Sequence, residues 1–334
     1  MRTIQTRRHF LATLSGAATA SLLGAPPLRA AEGPPETTAV RFTSGTGAIC
    51  VAPQYVAEEL LRAEGFTDVQ LNVSDPSSGA RFLRGHVDFE MAFASAQIVW
   101  ADAGERITVL TGIHPACFEL FGNDRVHKIL DLKGKRVAVK ALGSSPHVFL
   151  SIMAAYVGLD PVNDIEWIAS PNKTAMELFA EGKVDAFLGF PPAPQELLAR
   201  KIGHVVVNST VDRPWSQYFC CMLAADTDYV QNYPVATKRV LRAILKATDL
   251  CASQPALVAR LLTDKGYVDR YDYAIQTLSD LPYNVWREYD PEDTVRFYAL
   301  RLRELGMIKS SPQKVIADNT NWHFLNELRR ELKG

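Results

Sequence analysis

From residue 39 onward, short runs rich in β-branched and aromatic residues alternate with segments whose apolar positions recur every three or four residues. The first pattern predicts buried strands, and the second predicts amphipathic helices. Strands and helices that alternate in this way are typical of an α/β fold with a mostly parallel sheet. The predicted strands are 39–43, 69–73, 89–93, 108–112, 136–140, 165–169, 186–189, 204–207 and 217–224.

Helical periodicity also lies between these strands, at 53–64 and 146–157, and it continues almost without interruption after residue 224. Proline stands at several of the predicted helix starts, where an N–H has no partner inside the helix. We expect this helical tail to pack on a sheet formed by the earlier strands, since an amphipathic helix must bury its apolar face. The tail helices are predicted at 234–253, 255–265, 272–281, 291–305 and 321–332.

A short motif occurs twice along the chain, each time directly before a predicted strand. Gly85-His86-Val87-Asp88 and Gly182-Lys183-Val184-Asp185 are 97 residues apart, and the same offset relates Phe42 to Val139. Two copies are too few for a solenoid. The repeat therefore predicts two similarly built lobes.

The helical tail decides how these lobes are arranged along the chain. It needs the first sheet to pack on, so the chain should leave lobe one, build lobe two and then return. This predicts lobe one at 38–114 plus 219–334 and lobe two at 115–218. Two crossings between lobes would form a hinge.

Residues 1–31 have the character of an export leader. The pair Arg7-Arg8 is similar to the twin-arginine signal for folded proteins, while an ordinary secretory leader stays open as the alternative. The apolar run that follows is too short to span a bilayer. We expect cleavage near Ala30 or Ala31 and release into the periplasm.

The 334 residues are 47% hydrophobic and 22% charged, which predicts a globular protein with a sizeable core. Outside the leader, 32 basic side chains stand against 37 acidic ones, so we expect no nucleic-acid partner. No later window holds 18 continuous apolar residues, and no membrane-spanning helix is predicted. We expect a monomer.

The number of cysteines is odd, and their spacing contains no C-x-x-C motif. Adjacent cysteines do not easily bridge each other. We interpret the cysteines as small buried apolar residues, with a disulfide or a reactive thiol as the alternatives. They are Cys50, Cys117, Cys220, Cys221 and Cys251.

Two groups of residues could form a catalytic or a metal site. His114 and Cys117 could form a nucleophile pair, but the proline between them breaks any shared helix and no third orienting residue is evident. His86, Asp88 and Glu90 alternate along one strand, but a zinc site needs three or four converging ligands. We therefore expect no catalytic residue, no metal and no cofactor.

With these features together, the sequence resembles the solute-binding proteins of ABC importers, and more narrowly their nitrate, sulfonate and taurine branch, which also contains binders of thiamine precursors. The resemblance covers about residues 38–260 and lies in the order of the elements. It is carried by Gly85–Phe89, Asp131–Val139, Gly143–His147, Gly158-Leu159 and Gly182–Ala186.

The resemblance implies a two-lobed periplasmic-binding-protein fold, type II-like, that closes on a small molecule and delivers it to a permease in the inner membrane. Phe219-Cys220-Cys221 is also similar to the Cys-rich stretch of pyrimidine synthases that share this fold, but the longer cysteine run of those enzymes is missing. The first hypothesis is a periplasmic solute-binding component. The alternative is a secreted enzyme or a ligand-sensing subunit.

Loops at the carboxyl ends of the strands are where open α/β sheets bind ligands. Here these loops carry glycines, which let backbone approach a ligand, and hydroxyl groups beside helix starts, which favour an anion. The alternative is that they only turn the chain and cap helices. The predicted ligand-binding residues are Gly45, Thr46, Gly47, Ser95, Ala96, Gly143, Ser144, Ser145, His147, Phe190, Trp215 and Tyr218.

Individual roles follow from position. His147 is expected to stay neutral near a helix start and to form hydrogen bonds. Trp215 and Tyr218 flank the return crossing and are expected to form apolar walls, whereas Phe190 ends a strand and suits the core equally well. The ligand is expected to be a small organic anion. Sulfonate, aromatic carboxylate, nitrate-like ion and pyrimidine precursor all stay open.

Overall fold

The computed structural model describes residues 32–43, 48–73, 87–115, 117–170 and 173–332, and the predicted leader lies outside these ranges. From Pro35 onward, the described chain contains ten strands in two five-stranded sheets. The strands are β1 (Ala39–Thr43), β2 (Asp68–Val73), β3 (Phe89–Phe93), β4 (Ile107–Pro115), β5 (Glu119–Gly122), β6 (Lys135–Val139), β7 (Ile165–Ala169), β8 (Ala186–Gly189), β9 (His204–Asn208) and β10 (Phe219–Asp226).

Thirteen α-helices accompany these strands within the same ranges, and the helix predicted at 53–64 is interrupted at Ala57. Short 3₁₀ helices lie at Ile49–Val51, Ile129–Leu132, Trp215–Gln217 and Tyr283–Arg287. The α-helices are α1 (Ala52–Val56), α2 (Glu58–Ala63), α3 (Ala94–Asp102), α4 (Ser145–Tyr156), α5 (Ala175–Ala180), α6 (Ala193–Ala199), α7 (Thr227–Asn232), α8 (Pro234–Ser253), α9 (Pro255–Asp264), α10 (Tyr271–Asp280), α11 (Pro291–Glu304), α12 (Pro312–Asn319) and α13 (His323–Glu331).

The two sheets share one topology, which confirms the predicted α/β class. The first sheet has the order β2-β1-β3-β10-β4, and the second has the order β7-β6-β8-β5-β9. In each sheet the fourth strand runs antiparallel to both of its neighbours and is contributed by a segment next to a crossing between the sheets. Each sheet therefore contains one antiparallel strand that the chain forms directly after it has crossed from the other sheet. The exact division into lobes stays a prediction.

Helices of the tail cover the first sheet, as expected from their apolar faces. Helix α8 packs against α1, α2 and β4, while α11 and α12 pack against α3. One hydrophobic core runs from the first sheet to one face of the second. The other face of the second sheet is covered by α5 and α6 around a smaller apolar cluster. Among the helices of the described ranges, none is long and apolar enough to cross a membrane.

The repeated aspartates have the same structural role in both sheets. The backbone N–H of Arg41 on β1 donates to Asp88 Oδ2 at 2.7 Å, and the backbone N–H of Arg136 on β6 donates to Asp185 Oδ2 at 3.0 Å. Each aspartate also donates its own backbone N–H to the carbonyl of the same arginine, at 2.8 and 2.7 Å. The motif therefore joins β1 to the start of β3 in the first sheet and β6 to the start of β8 in the second.

The predicted equivalence of Phe42 with Val139 is wrong by two residues. Phe42 pairs with Phe89 in the first sheet, and the matching pair in the second sheet is Val137 with Ala186. The segment from β6 to β8 is two residues longer than the segment from β1 to β3, so the offset of 97 holds only for the later part of the repeat.

Replacing Asp185 by asparagine is expected to lower the free energy of unfolding by about 2–3 kcal/mol at pH 7, because it removes the charge from a buried carboxylate that accepts several hydrogen bonds. Asp185 accepts from Asn123 Nδ2 at 3.0 Å and from the Arg125 guanidinium. Burial raises the pKa of Asp185. The hydrogen bonds from Arg136 and Asn123 and the charges of Arg125 and Arg136 outweigh burial, so the pKa lies below its ordinary value.

A group with a depressed pKa stabilises the fold above its unfolded pKa, and that contribution is lost as pH falls through the folded pKa. The effect of the Asp185 variant should therefore shrink as the pH falls below about 4. Urea unfolding at pH 7 and pH 3 measures this difference. Asp318→Asn, on an exposed helix position beside Lys314, is the matched control and should cost less than about 0.5 kcal/mol. An equal cost for both variants would contradict the prediction.

Candidate ligand-binding cleft

Two of the predicted loops come together where two helices begin. Helix α3 starts directly after β3, helix α4 starts shortly after β6, and the two helices pack against each other. The rings of Phe93, just before α3, and Phe149, in α4, lie 4.8 Å apart between centroids. The start of α3, with Ser95 and Ala96, therefore lies close to the first turns of α4. Gly45, Thr46 and Gly47 lie outside the described residues.

Ser95 has the polar atom that most clearly points to a ligand. Its side chain is completely buried, and its Oγ makes no hydrogen bond with any residue that the structure describes. The N-cap residue of α3 is Phe93, which has no side-chain group to cap the helix. Leaving a buried hydroxyl without a partner costs about 1–3 kcal/mol. A hydroxyl and a helix start with this arrangement can together bind an anion.

The loop before α4 is held by its own contacts. Ser144 Oγ donates to the carbonyl of Ala141 at 2.6 Å, and the Gly143 N–H donates to His147 Nδ1 at 3.1 Å. Gly143 has φ +82°, in the left-handed region that favours glycine. Ser145, half-buried, is the first residue of α4. These contacts are those of a turn that positions a helix start.

His147 accepts a hydrogen bond at Nδ1, so a neutral ring carries its proton on Nε2. Burial lowers the pKa of His147 below its ordinary value, which favours this neutral form. The ring meets Trp167 edge-on, with centroids 4.7 Å apart. The neutral form of His147 was expected from its position at the helix start, whereas burial is the cause in the structure. The role of His147 in ligand binding stays a prediction.

Aromatic rings fill the region between the two sheets. Trp215, predicted as a wall, is only 2% exposed and meets the rings of Phe149 and Tyr156 at 5.5 and 5.3 Å. Tyr218 stacks on Phe297 at 3.9 Å. We call this group the aromatic cluster; it comprises Phe93, Phe118, Phe149, Phe190, Trp215, Tyr218, Phe297 and Tyr298.

A cavity of about 770 Å³ lies elsewhere, among α8, α9, α10 and the 3₁₀ helix that follows them. Its lining includes Asp249, Asp280 and Tyr283, and it contains none of the predicted site residues. Asp249 is already paired with Arg287 at 2.6 Å. Two carboxyl groups and a half-open shape do not favour capture of an anion here. The cavity and the predicted cleft are separate features.

Glu119, at the start of β5, is a polar residue near the first crossing that the sequence analysis missed. Burial, with the nearby charge of Asp280, raises the pKa of Glu119 to about 7. An acid with a raised pKa stabilises the fold below its unfolded pKa, and the contribution is lost as pH rises through the folded value. Stability from this residue should therefore fall between about pH 4.5 and pH 7.

Replacing Glu119 by glutamine should remove that loss. We expect the variant to gain about 1–2 kcal/mol over the wild type at pH 8, a figure discounted for the partial exposure of the carboxyl, and to match it near pH 4.5. Chemical denaturation across this pH range measures the difference. A gain that is equal at both pH values would contradict the assigned pKa.

A second group of polar side chains lies beside the first crossing. It combines His114 with three cysteines, although the sequence pattern pointed only to His114 and Cys117 as a pair. Cys50, His114, Cys117 and Cys221 are all buried, and each offers a ligand atom within 4.8 Å of the others. Cys220 Sγ lies 3.3 Å from Cys117 Sγ. No substrate can reach these thiols in this conformation, which argues against the nucleophile pair of His114 and Cys117.

We call Cys50, His114, Cys117 and Cys221 the cysteine cluster; its members and the neighbouring Cys220 have shifted pKa values. Burial lowers the pKa of His114, but the nearby Cys221 and Cys50 side chains outweigh it and raise the pKa to about 10. Burial raises the pKa of Cys220, but Cys117 and Cys221 bring it down to about 6. The Cys117 side chain lowers the pKa of Cys50, but Cys221 and burial outweigh it and raise the pKa to about 11, and burial also raises the pKa of Cys117.

Comparisons with known proteins agree with this fold. Residues 119–262 match the NMT1-like family. The bicarbonate-binding protein CmpA of Synechococcus elongatus is 25% identical over 112 residues, which are 33% of this chain and 24% of that protein. The chain thus matches about a quarter of the length of the curated relatives it resembles.

Solved structures extend the similarity over most of the chain. The periplasmic nitrate-binding protein NrtA from Synechocystis PCC 6803 superimposes with a TM-score of 0.75 at 14% identity and covers 90% of each chain. The periplasmic aliphatic sulphonate-binding protein SsuA from Escherichia coli gives a TM-score of 0.64 at 20% identity, over 82% of this chain and 94% of that one. The resemblance to solute-binding proteins and their fold is confirmed.

Proposed function

We propose that the chain is the solute-binding component of an ABC import system and that it captures a small organic anion between the two sheets. The single observation that carries this proposal is the buried hydroxyl of Ser95 at the start of α3, which has no hydrogen-bond partner among the described residues and lies close to the first turns of α4. The similar proteins are named for binding nitrate, bicarbonate and sulphonate, which supports an anion as the ligand of this chain.

The chemistry at the start of α3 suits an oxyanion. The first N–H groups of a helix have no partner inside it, and the helix dipole adds about 0.3–2 kcal/mol in favour of negative charge. In our proposal Ser95 Oγ donates to one ligand oxygen, and backbone N–H groups of the first turn donate to the others. Ala96 leaves room beside them, because its side chain is a single methyl group.

An apolar part of the ligand would meet the aromatic cluster. Phe93 directly precedes Ala94 at the start of α3, and its ring contacts Phe118 and Phe149. This neighbourhood favours a sulfonate or carboxylate with a carbon skeleton over a bare inorganic ion, because burial of apolar surface adds about 25 cal/mol per Å². Phe190, Trp215 and Tyr218 would enclose that skeleton when the sheets move apart and close again.

Capture would use the two crossings as a hinge. One crossing joins β4 to β5, and the other joins β9 to β10. Ser209, buried in the second crossing, exchanges hydrogen bonds with the backbone of Phe118 in the first, at 2.6 and 2.9 Å. The pair of crossings is thus tied together, which suits a single hinge axis. The proposal places the protein in the periplasm as a monomer that delivers its ligand to an inner-membrane permease.

A thermal-shift screen tests this function. The panel should contain taurine, an alkanesulfonate, an aromatic carboxylate, nitrate and bicarbonate. We expect at least one organic anion to raise the melting temperature, since a ligand at 100 times its dissociation constant stabilises by about 2.7 kcal/mol.

Mass spectrometry of the same samples distinguishes binding from catalysis. Unchanged ligand after prolonged incubation is expected. A new product would support the alternative of a secreted enzyme, and the absence of any thermal shift across the panel would contradict anion capture.

A further inference from the structure

The residues of the cysteine cluster come from three separate parts of the chain that the fold brings to one point. Cys50 lies in the 3₁₀ helix Ile49–Val51, His114 lies near the end of β4, and Cys117 follows two residues after that strand. Cys221 lies on β10 directly opposite His114 in the antiparallel ladder. Strand pairing therefore sets the distance between the imidazole and one thiol.

We propose that Cys50, His114, Cys117 and Cys221 bind one Zn²⁺ ion. Three thiolates and one imidazole form one of the usual donor sets of structural zinc sites, which are tetrahedral and closed by four protein ligands. With Zn–S bonds of about 2.3 Å, the sulfur atoms of such a site lie about 3.8 Å apart. All four ligand atoms here lie within 4.8 Å of one another, so small side-chain rotations suffice to close the tetrahedron.

The hydrogen bond of His114 prepares its ring as a ligand. His114 Nδ1 lies 2.8 Å from the carbonyl oxygen of Pro115, and because a carbonyl can only accept, Nδ1 carries the proton and donates. This leaves Nε2 as the nitrogen for a metal. Nε2 is buried and has no hydrogen-bond partner in the described part of the chain. A metal-bound histidine generally donates its other N–H to a carbonyl or carboxylate in this way.

The surroundings fit a structural ion rather than a catalytic one. All four side chains are at most 4% exposed, and four protein ligands leave no open position for water. Tyr283 closes the site from the helical tail, since its hydroxyl donates to the Cys50 carbonyl at 3.0 Å and its ring meets His114 edge-on at 5.1 Å. The ion would hold the first crossing to β10 and to the Cys50 segment.

This inference is independent of the proposed ligand and departs from the expectation that the chain binds no metal. Its main competitor is a disulfide between Cys117 and Cys220, whose sulfur atoms lie 3.3 Å apart. The two states exclude each other, because a disulfide would remove Cys117 from the ligand set. Zinc binding releases thiol protons and transfers no electrons, so it needs no oxidant.

Metal analysis of the full-length chain, purified without chelator, tests the inference. We expect about one Zn²⁺ per chain by inductively coupled plasma mass spectrometry. After replacement of the zinc by Co²⁺, we expect thiolate-to-metal charge-transfer absorption and the visible bands of tetrahedral cobalt. This spectroscopic measurement uses the wild-type chain and needs no variant to fold.

Matched serine variants locate the ion. Cys117→Ser should lose at least about tenfold in zinc affinity, as measured by competition with a chromophoric chelator, whereas Cys251→Ser should retain wild-type affinity. Cys251 is the proper control, because it is also buried and lies outside the cluster, in α8. No bound zinc and no cobalt spectrum would overturn the proposal, and so would a Cys117–Cys220 disulfide found by peptide mapping. Equal loss in both variants would also overturn it.

Discussion

Replacing Phe149 by alanine is expected to lower the free energy of unfolding by about 3–5 kcal/mol, because the change removes a buried ring and leaves a cavity. Phe149 lies at the centre of the aromatic cluster. Its ring centroid is 4.8 Å from that of Phe93, 5.4 Å from Phe118 and 5.5 Å from Trp215. The ring thus joins a helix beside the second sheet to β3 of the first. Guanidinium unfolding measures the loss.

Tyr156→Ala is the control for this experiment. Tyr156 lies in the same helix and also touches Trp215, but it is 51% exposed. Its removal should cost less than about 1 kcal/mol. If Phe149→Ala also costs less than about 1 kcal/mol, the aromatic cluster does not hold the two sheets together.

Replacing Gly122 by alanine is expected to cost about 3 kcal/mol or more, because the new Cβ would lie 2.2 Å from the backbone carbonyl oxygen of Val126 and 2.8 Å from Val206 Cγ2. A backbone atom cannot rotate away as the end of a side chain can. The end of β5 would have to move away from β9, next to which it is paired. Thermal and urea unfolding both report this change.

Gly134→Ala separates the effect of a clash from the effect of backbone conformation. Gly134 has φ +67° and open space around its Cβ position. Alanine there should cost about 1–2 kcal/mol, which is the strain of a left-handed backbone. Equal costs at both positions would contradict the clash at Gly122.

Local pattern was enough to predict most of the sheets. Strands such as Phe89–Phe93 and Ile165–Ala169 have the predicted bounds, because each is a short apolar run that ends at a helix start or a turn. β5 was missed, because its four residues lie beside a crossing and carry too little pattern. The register error between the two repeats arose for a related reason, since an insertion of two residues leaves no mark in hydrophobicity.

The site was less predictable, because it depends on contacts between distant segments. Ser95 could be proposed from a strand end followed by a helix start, which are neighbours in sequence. Nothing in the sequence showed that Trp215 is covered by Phe149 and Tyr156. The cysteine cluster joins Cys50 to residues 64 and more positions away, and the pairing of β4 with β10 places Cys221 opposite His114.

Isothermal titration of two serine variants tests most directly whether an anion binds at the start of α3. The ligand is the anion that gives the largest thermal shift in the screen. Ser151 is the matched control, because it is also buried in a helix but its Oγ already donates to the His147 carbonyl at 2.8 Å. A hydrogen bond to a charged group contributes about 1.5–3 kcal/mol, so Ser95→Ala should weaken binding about 10- to 100-fold, while Ser151→Ala binds as the wild type does. Unchanged affinity in Ser95→Ala would contradict the account.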